Sequence, residues 1–457
     1  MIEVISVILF MFAVIVLVLG RPKYVLYGFL IFAPLSYYYA YLTPNSYEAG
    51  TFLQKSSRDI FIGLIYLIWL LYIFVRKETK LKIMNASIVA ILFLAIIIIQ
   101  LFFALPKENY SFMIGMRNAI EFIPLMFIVP SFFAASDLKK FTNIMLSLSL
   151  IVALLGLIQL LFFYMGFVFM FNEMGSGIAI ARIYSTLFNP NNLGIYLVTF
   201  LLLFFGLYVN NVYLINKIFS RLSMILLAVC LFFTFSRGAL LALMLGVIFL
   251  LFRKKYYRSI MLSFIAGLLI IFAVTIYNPG ILFRYVRAFS SEGGKNEIAY
   301  RLISIPQKGW EQMSNKPLSI ITGITPEDWA NGPDSLEFKK DNYTTGNEKW
   351  SGQGISMDNY YVLLFFTSGL VPFITFIVLI YLLFKESNLT ASLTRDPFYS
   401  GLIAGILSVF ISYIVLGFVT DLWNLFPSNF YFWFLAGMLV LINKVVKQER
   451  AQYENRD

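Results

Sequence analysis

The chain contains no histidine and a single cysteine, and only 13% of its 457 residues are charged. The missing histidine removes the usual general base, the commonest metal ligand and the side chain that titrates near neutral pH. Any proton transfer must use a carboxylate, a tyrosine, a lysine or water. Cys230 lies inside an apolar run. Alone it forms no internal disulfide, and a metal site needs more ligands. There is also no DxD triad to hold a metal–nucleotide diphosphate, no Walker loop and no GxGxxG. Nucleotide-sugar glycosyltransfer and ATP-driven transport are therefore unsupported, and no metal or cofactor is expected. No internal repeat or low-complexity tract is visible.

Apolar residues are abundant. They make up 60% of the chain, against about 45–50% in a soluble domain. Apolar runs of about 17–25 residues recur, which defines an all-α polytopic membrane protein. Spans are expected near 2–20, 24–42, 59–75, 86–104, 117–134, 142–168, 191–209, 222–236, 238–252, 259–277, 358–384, 400–419 and 428–446. That makes about thirteen, with a range of 12–14, each end being fixed to about 2–4 residues. Met1-Ile2-Glu3 opens directly into an apolar helix without a basic n-region or a small-residue cleavage site. Residues 2–20 are thus expected as the first span rather than a removed leader. The second span contains Pro34 and ends in Tyr37-Tyr38-Tyr39, so a kink or an early stop is expected.

Basic residues sort by alternating loops. Twenty of the 35 lysines and arginines fall on one side, including Arg76, Lys77, Arg253, Lys254, Lys255, Lys444 and Lys447. The short loops opposite hold six: Lys55, Arg58, Lys107, Arg117, Arg182 and Arg237. The richer side is cytoplasmic by the positive-inside rule, which places the N-terminus outside and the C-terminus inside. The net charge of +11 is mostly this asymmetry, and it does not point to nucleic acid. Residues 1–277 would hold the first ten spans and 278–357 a long external loop. Residues 358–457 would hold the last three spans and a cytoplasmic tail. The long loop is expected to form a partly helical cap whose second half is polar and mobile. It turns at Asn331-Gly332-Pro333-Asp334 and Thr344-Thr345-Gly346-Asn347.

Thr234-Phe235-Ser236-Arg237-Gly238 puts one arginine between two long apolar stretches, with a link too short for a solvated loop. A charge near the bilayer centre costs roughly 2.5–3.5 kcal/mol, so an anionic partner is expected. Arg117, Arg182, Arg237 and Arg301 all lie on the external side, at span edges or in the long loop. Arginine stays charged and its planar fork matches phosphate oxygens, so this set suits a lipid-linked phosphate or diphosphate. Other readings stand beside this one. Arg117 has Glu121 four positions on, which fits an intramembrane ion pair equally well. Arg182 also reads as a solvated loop charge, and Arg284 and Arg287 read best as headgroup contacts. Asp358, at the mouth of a span, fits a general base or a helix N-cap, and one residue could serve as both. Asn189-Pro190-Asn191 is a turn and helix-start signal, and also a candidate polar loop shaping a sugar site.

Together these segments resemble the bacterial O-antigen ligase and O-antigen/exopolysaccharide polymerase family. The matching elements begin with Arg182 followed by Ser185-Thr186-Leu187-Phe188-Asn189-Pro190-Asn191. They continue with Thr234-Phe235-Ser236-Arg237-Gly238-Ala239-Leu240-Leu241, then Arg301, Trp310 and Gly323. Last come Ser356-Met357-Asp358-Asn359-Tyr360-Tyr361 and Gly369-Leu370. The resemblance covers roughly residues 180–385. It implies a metal-independent transferase with a GT-C-like helical fold. Such an enzyme takes a glycan from an undecaprenyl-diphosphate donor on the outer side of the bacterial plasma membrane. In the ligases an arginine matching Arg237, a loop arginine best matched by Arg301, and a histidine at the Asp358 position are the functional residues. Asp358 replaces that histidine here, which favours a polymerase and leaves the general-base role open. The resemblance thus implies that Arg237, Arg301, Arg182 and Arg117 hold the diphosphate. Asp358 would act on the acceptor, and Asn189, Asn191, Asn359 and Tyr360 would contact sugars. The implied partners are a lipid-linked glycan donor and acceptor, membrane lipids, a chain-length regulator and a flippase. A ligase, and a flippase or transporter of lipid-linked oligosaccharide, are the alternatives.

Overall fold

The computed structural model describes residues 23–36, 47–76, 84–104, 117–166, 182–187, 189–213, 215–256, 303, 305–323 and 359–454. Arg301 and Asp358, the expected spans 2–20 and 259–277, and most of the long loop lie outside these residues. The described residues are helical, with no strand among them. In chain order the helices are α1 (Lys23–Leu35), α2 (Tyr47–Arg76), α3 (Asn85–Ala104), α4 (Leu125–Phe132) and α5 (Ala135–Tyr164). Next come α6 (Pro190–Val209), α7 (Lys217–Phe233), α8 (Arg237–Arg253), α9 (Ile305–Ser314) and α10 (Ser319–Thr322). The last four are α11 (Tyr360–Ser368), α12 (Leu370–Leu393), α13 (Pro397–Gly417) and α14 (Ser428–Glu454). Among the described residues α3, α5, α6, α12, α13 and α14 are long and apolar enough to cross a membrane. The protein is therefore a multi-pass helical membrane protein.

Burial sorts these helices into inner and outer ones. α14 runs through the middle, with 94% of its apolar window buried, whereas α3 buries only 28% and turns most of its surface toward lipid. Phe434 of α14 stacks on Phe141 of α5 with centroids 4.4 Å apart. α6 and α13 make the closest pairing. A methyl group at Gly206 would lie 2.4 Å from the backbone nitrogen of Gly405. Small residues let two membrane helices touch backbone to backbone, where dispersion and polar contacts replace the hydrophobic drive that lipid cannot supply. The buried Tyr413 hydroxyl adds a polar tie, 3.2 Å from Thr199 Oγ1 on α6 and donating at 3.2 Å to the Ser428 carbonyl of α14.

The two ends of the bundle are held by different polar groups. At one end Lys23 pairs with Asp137 at 2.8 Å, Arg253 bonds Asn388, and Lys254 bonds Asn210 at 2.5 Å. The carboxylate of Glu386 receives the first N–H groups of α3, from Asn85 at 2.8 Å and Ala86 at 3.2 Å. Arg58, Arg117, Arg182 and Arg237 gather at the opposite end.

Two expected spans are interrupted. The 117–134 run is helical at 117–120, turns at 121–124 and resumes as the short α4 after Pro124. The 358–384 run breaks at Gly369, whose φ of 82° is open to glycine and strained for other residues. α11 then folds back beside the start of α12, with Tyr360 packed 5.4 Å from Phe376. Among the other described helices, α2 starts twelve, α5 seven and α7 five residues before the expected spans, and α12 and α14 end nine and eight residues after theirs.

The α6–α13 contact yields a direct test. Gly206→Ala is expected to destabilise the detergent-purified protein by about 1–3 kcal/mol, the usual cost of overpacking. Gly63→Ala, whose new methyl meets nothing within 4 Å, serves as control. Equal melting temperatures for the two variants would show that the α6–α13 approach is not a constraint.

Candidate functional site

The site is built on the turn between α7 and α8. Three residues, Thr234 to Ser236, reverse the chain, and Phe235 adopts a φ of 49° to do so. A bulky aromatic in the left-handed region is uncommon and needs support from its surroundings. Thr234, fully buried, supplies some of it. Its hydroxyl donates to the Leu231 carbonyl at 2.7 Å and accepts from the Ser236 N–H at 3.2 Å. Arg237 is then the first residue of α8 and is half-buried. Ser236 precedes it without a side-chain cap bond, so the first N–H groups of α8 add their positive end to the guanidinium.

Arg182 joins this turn to the start of α6. Its Nε donates to the Thr234 carbonyl at 3.0 Å and its Nη2 to Asn191 Oδ1 at 3.0 Å. Beside it the Ile183 N–H donates to the Phe233 carbonyl at 3.2 Å. Asn189 caps α6 by accepting the Asn191 N–H at 2.7 Å, with Pro190 at the first helical position, where a missing N–H is harmless. Below, Gln159 Oε1 accepts the N–H groups of Tyr184 at 3.0 Å and Ser185 at 2.9 Å. A methyl at Gly194 would sit 2.8 Å from the Ala239 methyl and 3.1 Å from Ser236 Cβ, which fixes how closely α6 meets α8. Arg182, Asn189, Asn191 and Arg237 are thereby drawn onto one pair of helix starts.

α11 brings the next element. Asn359 is its N-cap, accepting from the N–H groups of Tyr361 at 3.1 Å and Val362 at 3.2 Å, and it is buried. The N-cap that was one reading of Asp358 is instead its neighbour Asn359. Tyr360 is 2% exposed and packs on Trp423 with centroids 4.7 Å apart, so it stands in the core under the site. The turn at Phe418–Asp421 lies between α8 and α11. A methyl at Gly238 would lie 3.2 Å from Val419, and the Tyr361 ring lies 4.6 Å from Phe418. This turn carries Asp421, held by Asn424 Nδ2 at 2.9 Å. Sequence reading did not single out Asp421. Its signal was available, because it is the lone carboxylate between Asp396 and Glu449.

Arg117 belongs to a separate network. It meets Asp59 at 3.1 Å and Glu121 at 3.7 Å, and Arg58 meets the same two carboxylates at 3.2 and 3.6 Å. The ion pair with Glu121 is therefore present, widened by two residues of α2. Asn429, at the start of α14, ties this network to the bundle by donating to the Asn118 carbonyl at 3.2 Å. Among the described residues no group of three or more cysteine or carboxylate side chains is placed to hold a metal ion.

Taken with the family comparison, the geometry acquires a context. Residues 222–377 match the model of the O-antigen ligase family. The match is consistent with the O-antigen ligase and polymerase family that the chain's motifs resemble. No curated protein matches the chain. The matched stretch contains Arg237, Asn359 and Tyr360. Arg182, Asn189, Asn191 and Asp421 lie outside it and contribute from flanking helices.

The turn can be tested apart from any activity. Thr234→Val keeps the side-chain shape but leaves the Ser236 N–H without its acceptor. It is expected to lower stability by about 1–3 kcal/mol, the cost of an unsatisfied buried donor. Thr234→Ser should retain most of it. An unchanged melting temperature for Thr234→Val would show that the hydroxyl does not hold the turn.

Proposed function

We propose that the protein is a polysaccharide repeat-unit polymerase of the bacterial plasma membrane, joining undecaprenyl-diphosphate-linked oligosaccharides on its outer side. The observation that supports this most is the placement of Arg182 and Arg237 about the Thr234–Ser236 turn, at the uncapped start of α8 and inside or beside the O-antigen ligase match. In this reading a hydroxyl on the acceptor's terminal sugar attacks C1 of the donor glycan. The bond from C1 to the diphosphate oxygen breaks, and undecaprenyl diphosphate leaves. Arg237 and Arg301 hold its charge, aided by Arg182, each charge-assisted bond contributing about 1.5–3 kcal/mol. Asp358 takes the hydroxyl proton. Asn191 fixes Arg182 and faces the sugars with Asn189. Asn359 and Tyr360 support the α11 start from below. Arg117, with two carboxylates against it, shapes the entrance to the site. No metal takes part in this scheme, and the whole chain would make thirteen spans in a GT-C-like arrangement, with residues 278–357 as the cap.

A ligase is the second reading, and the O-antigen ligase description of the matched family favours keeping it. The two differ in product. A ladder of lengths on the lipid carrier marks a polymerase, and one transfer to a different acceptor marks a ligase.

Purified protein in proteoliposomes, supplied with defined lipid-linked repeat units, provides the test. Arg237→Ala is expected to slow chain growth by on the order of 10²-fold, as loss of one donor to a developing anion does elsewhere. Unchanged growth would remove Arg237 from the mechanism. Asp358→Asn is expected to abolish the rise of rate with pH that an ionising carboxylate base imposes. A retained pH profile would assign the proton to another group.

A further inference from the structure

Within the long loop, α9 and α10 present apolar side chains to their surroundings although a core lies within reach. α9 buries Gly309 and Met313 against Phe366 of α11, and a methyl at Gly309 would lie 2.2 Å from the Phe366 ring. Its other face carries Gln307, Trp310, Glu311 and Ser314, and Trp310 is 55% exposed. In α10 and the turn before it, Ser319 and Gly323 are buried while Leu318 and Ile321 are 77% and 55% exposed. Lys316 and Asn315 lie beside them.

This apolar face continues a surface that already meets lipid. A methyl at Gly369 would lie 2.1 Å from the Ile321 carbonyl oxygen, so α10 rests backbone to backbone on the α11–α12 break. Directly after Gly369, Leu370, Val371 and Ile374 are exposed on the first turns of the membrane-spanning α12. On the neighbouring span α3, Gln100 donates to the Ser368 carbonyl at 2.7 Å, while Ile98, Ile99 and Phe102 are exposed. Exposed apolar side chains thus run from the spans α3 and α12 onto Ile321 and Leu318.

We propose that α9 and α10 form an interfacial anchor. Trp310, Leu318 and Ile321 sit in the phospholipid leaflet at the Arg237 end of the bundle, with Glu311 and Lys316 among the headgroups. An amphipathic segment with an aromatic ring and a charged rim takes this position because its apolar face gains by leaving water while its polar face stays wet. The partner is the lipid surface itself. One consequence rests on the polymerase reading: the anchor holds the loop, four residues after Arg301, at the depth of a lipid-linked diphosphate.

The test uses the full chain in bilayer nanodiscs of phosphatidylethanolamine and phosphatidylglycerol, with no substrate. Single nitroxide labels are placed through Gln307→Cys, Ser314→Cys, Leu318→Cys, Ile321→Cys and Ile374→Cys. The native Cys230 is buried, and unmodified protein controls for its labelling. Relaxation by oxygen, which concentrates in lipid, is compared with relaxation by a nickel chelate, which stays in water. Labels at 318 and 321 are expected to match 374, with an oxygen-to-nickel ratio several-fold above that at 307 and 314. Equal ratios at 318, 321 and 307 would place the helix pair in water and overturn the anchor. Protection from both reagents would mean that protein covers the face, which also overturns it. Neither outcome depends on chain growth, so the polymerase reading and the anchor fail separately.

Discussion

The Arg182 guanidinium spans two chain reversals that share no covalent connection closer than the whole of α6 and α7. One nitrogen holds the Thr234 carbonyl and another holds Asn191. A backbone carbonyl in the turn between two apolar helices has few donors to choose from, because lipid offers none. A lysine could serve one of these acceptors but lacks the planar fork that serves two at a fixed angle. The left-handed Phe235, the buried Thr234 and the capped start of α6 all depend on this clasp to sit where they do. With it in place, Arg237 stands at the end of a rigid lever rather than on a loop.

The two arginine groups at this end of the bundle illustrate different solutions to a shared problem. Arg58 and Arg117 meet Asp59 and Glu121, and the four charges sum to zero. Arg58 and Glu121 are buried, so removing either strands a charge, and the network suits a structural joint between α2 and the helical segment 117–120. Two partners of Arg182 are a carbonyl and an amide oxygen, acceptors that carry no formal charge. Carboxylates thus position Arg58 and Arg117, whereas uncharged oxygens position Arg182.

Much of this arrangement was legible in the sequence, for identifiable reasons. The Thr234–Ser236 turn was visible because two apolar runs end abruptly on either side of it. The Arg117–Glu121 pair was visible because a spacing of four places both on one helical face. Arg58 and Asp59 were not, since nothing local points across 58 positions of chain. The break at Gly369 was also hidden. Leu363-Leu364-Phe365-Phe366-Thr367-Ser368-Gly369-Leu370-Val371 reads as one apolar run, and hydropathy does not register a glycine at φ 82°. Asp421 escaped because a short turn with one carboxylate looks like an ordinary connection until its neighbours, Val419 against α8 and Phe418 against α11, are known.

That break at Gly369 bears on how the long loop can serve the site. α11 is too short to span a membrane, yet it receives two parts of the loop. α9 packs on Phe366 and α10 lies on the Thr367–Gly369 backbone, while the loop returns to the chain at Asn359, the cap of the same helix. Arg301 and Asp358 stand 57 positions apart in the sequence, one shortly before α9 and the other next to the α11 cap. Four residues separate Arg301 from Ile305, a reach of at most about 14 Å of extended chain. Asp358 is bonded directly to the α11 cap. A nine-residue helix held against α12, Trp423 and α3 thus carries both the 305–323 part of the loop and its return to the chain at Asn359, whatever path the residues between them take. The cost of closing a long loop grows only slowly with its length, so variation in that path is tolerated while its ends stay fixed.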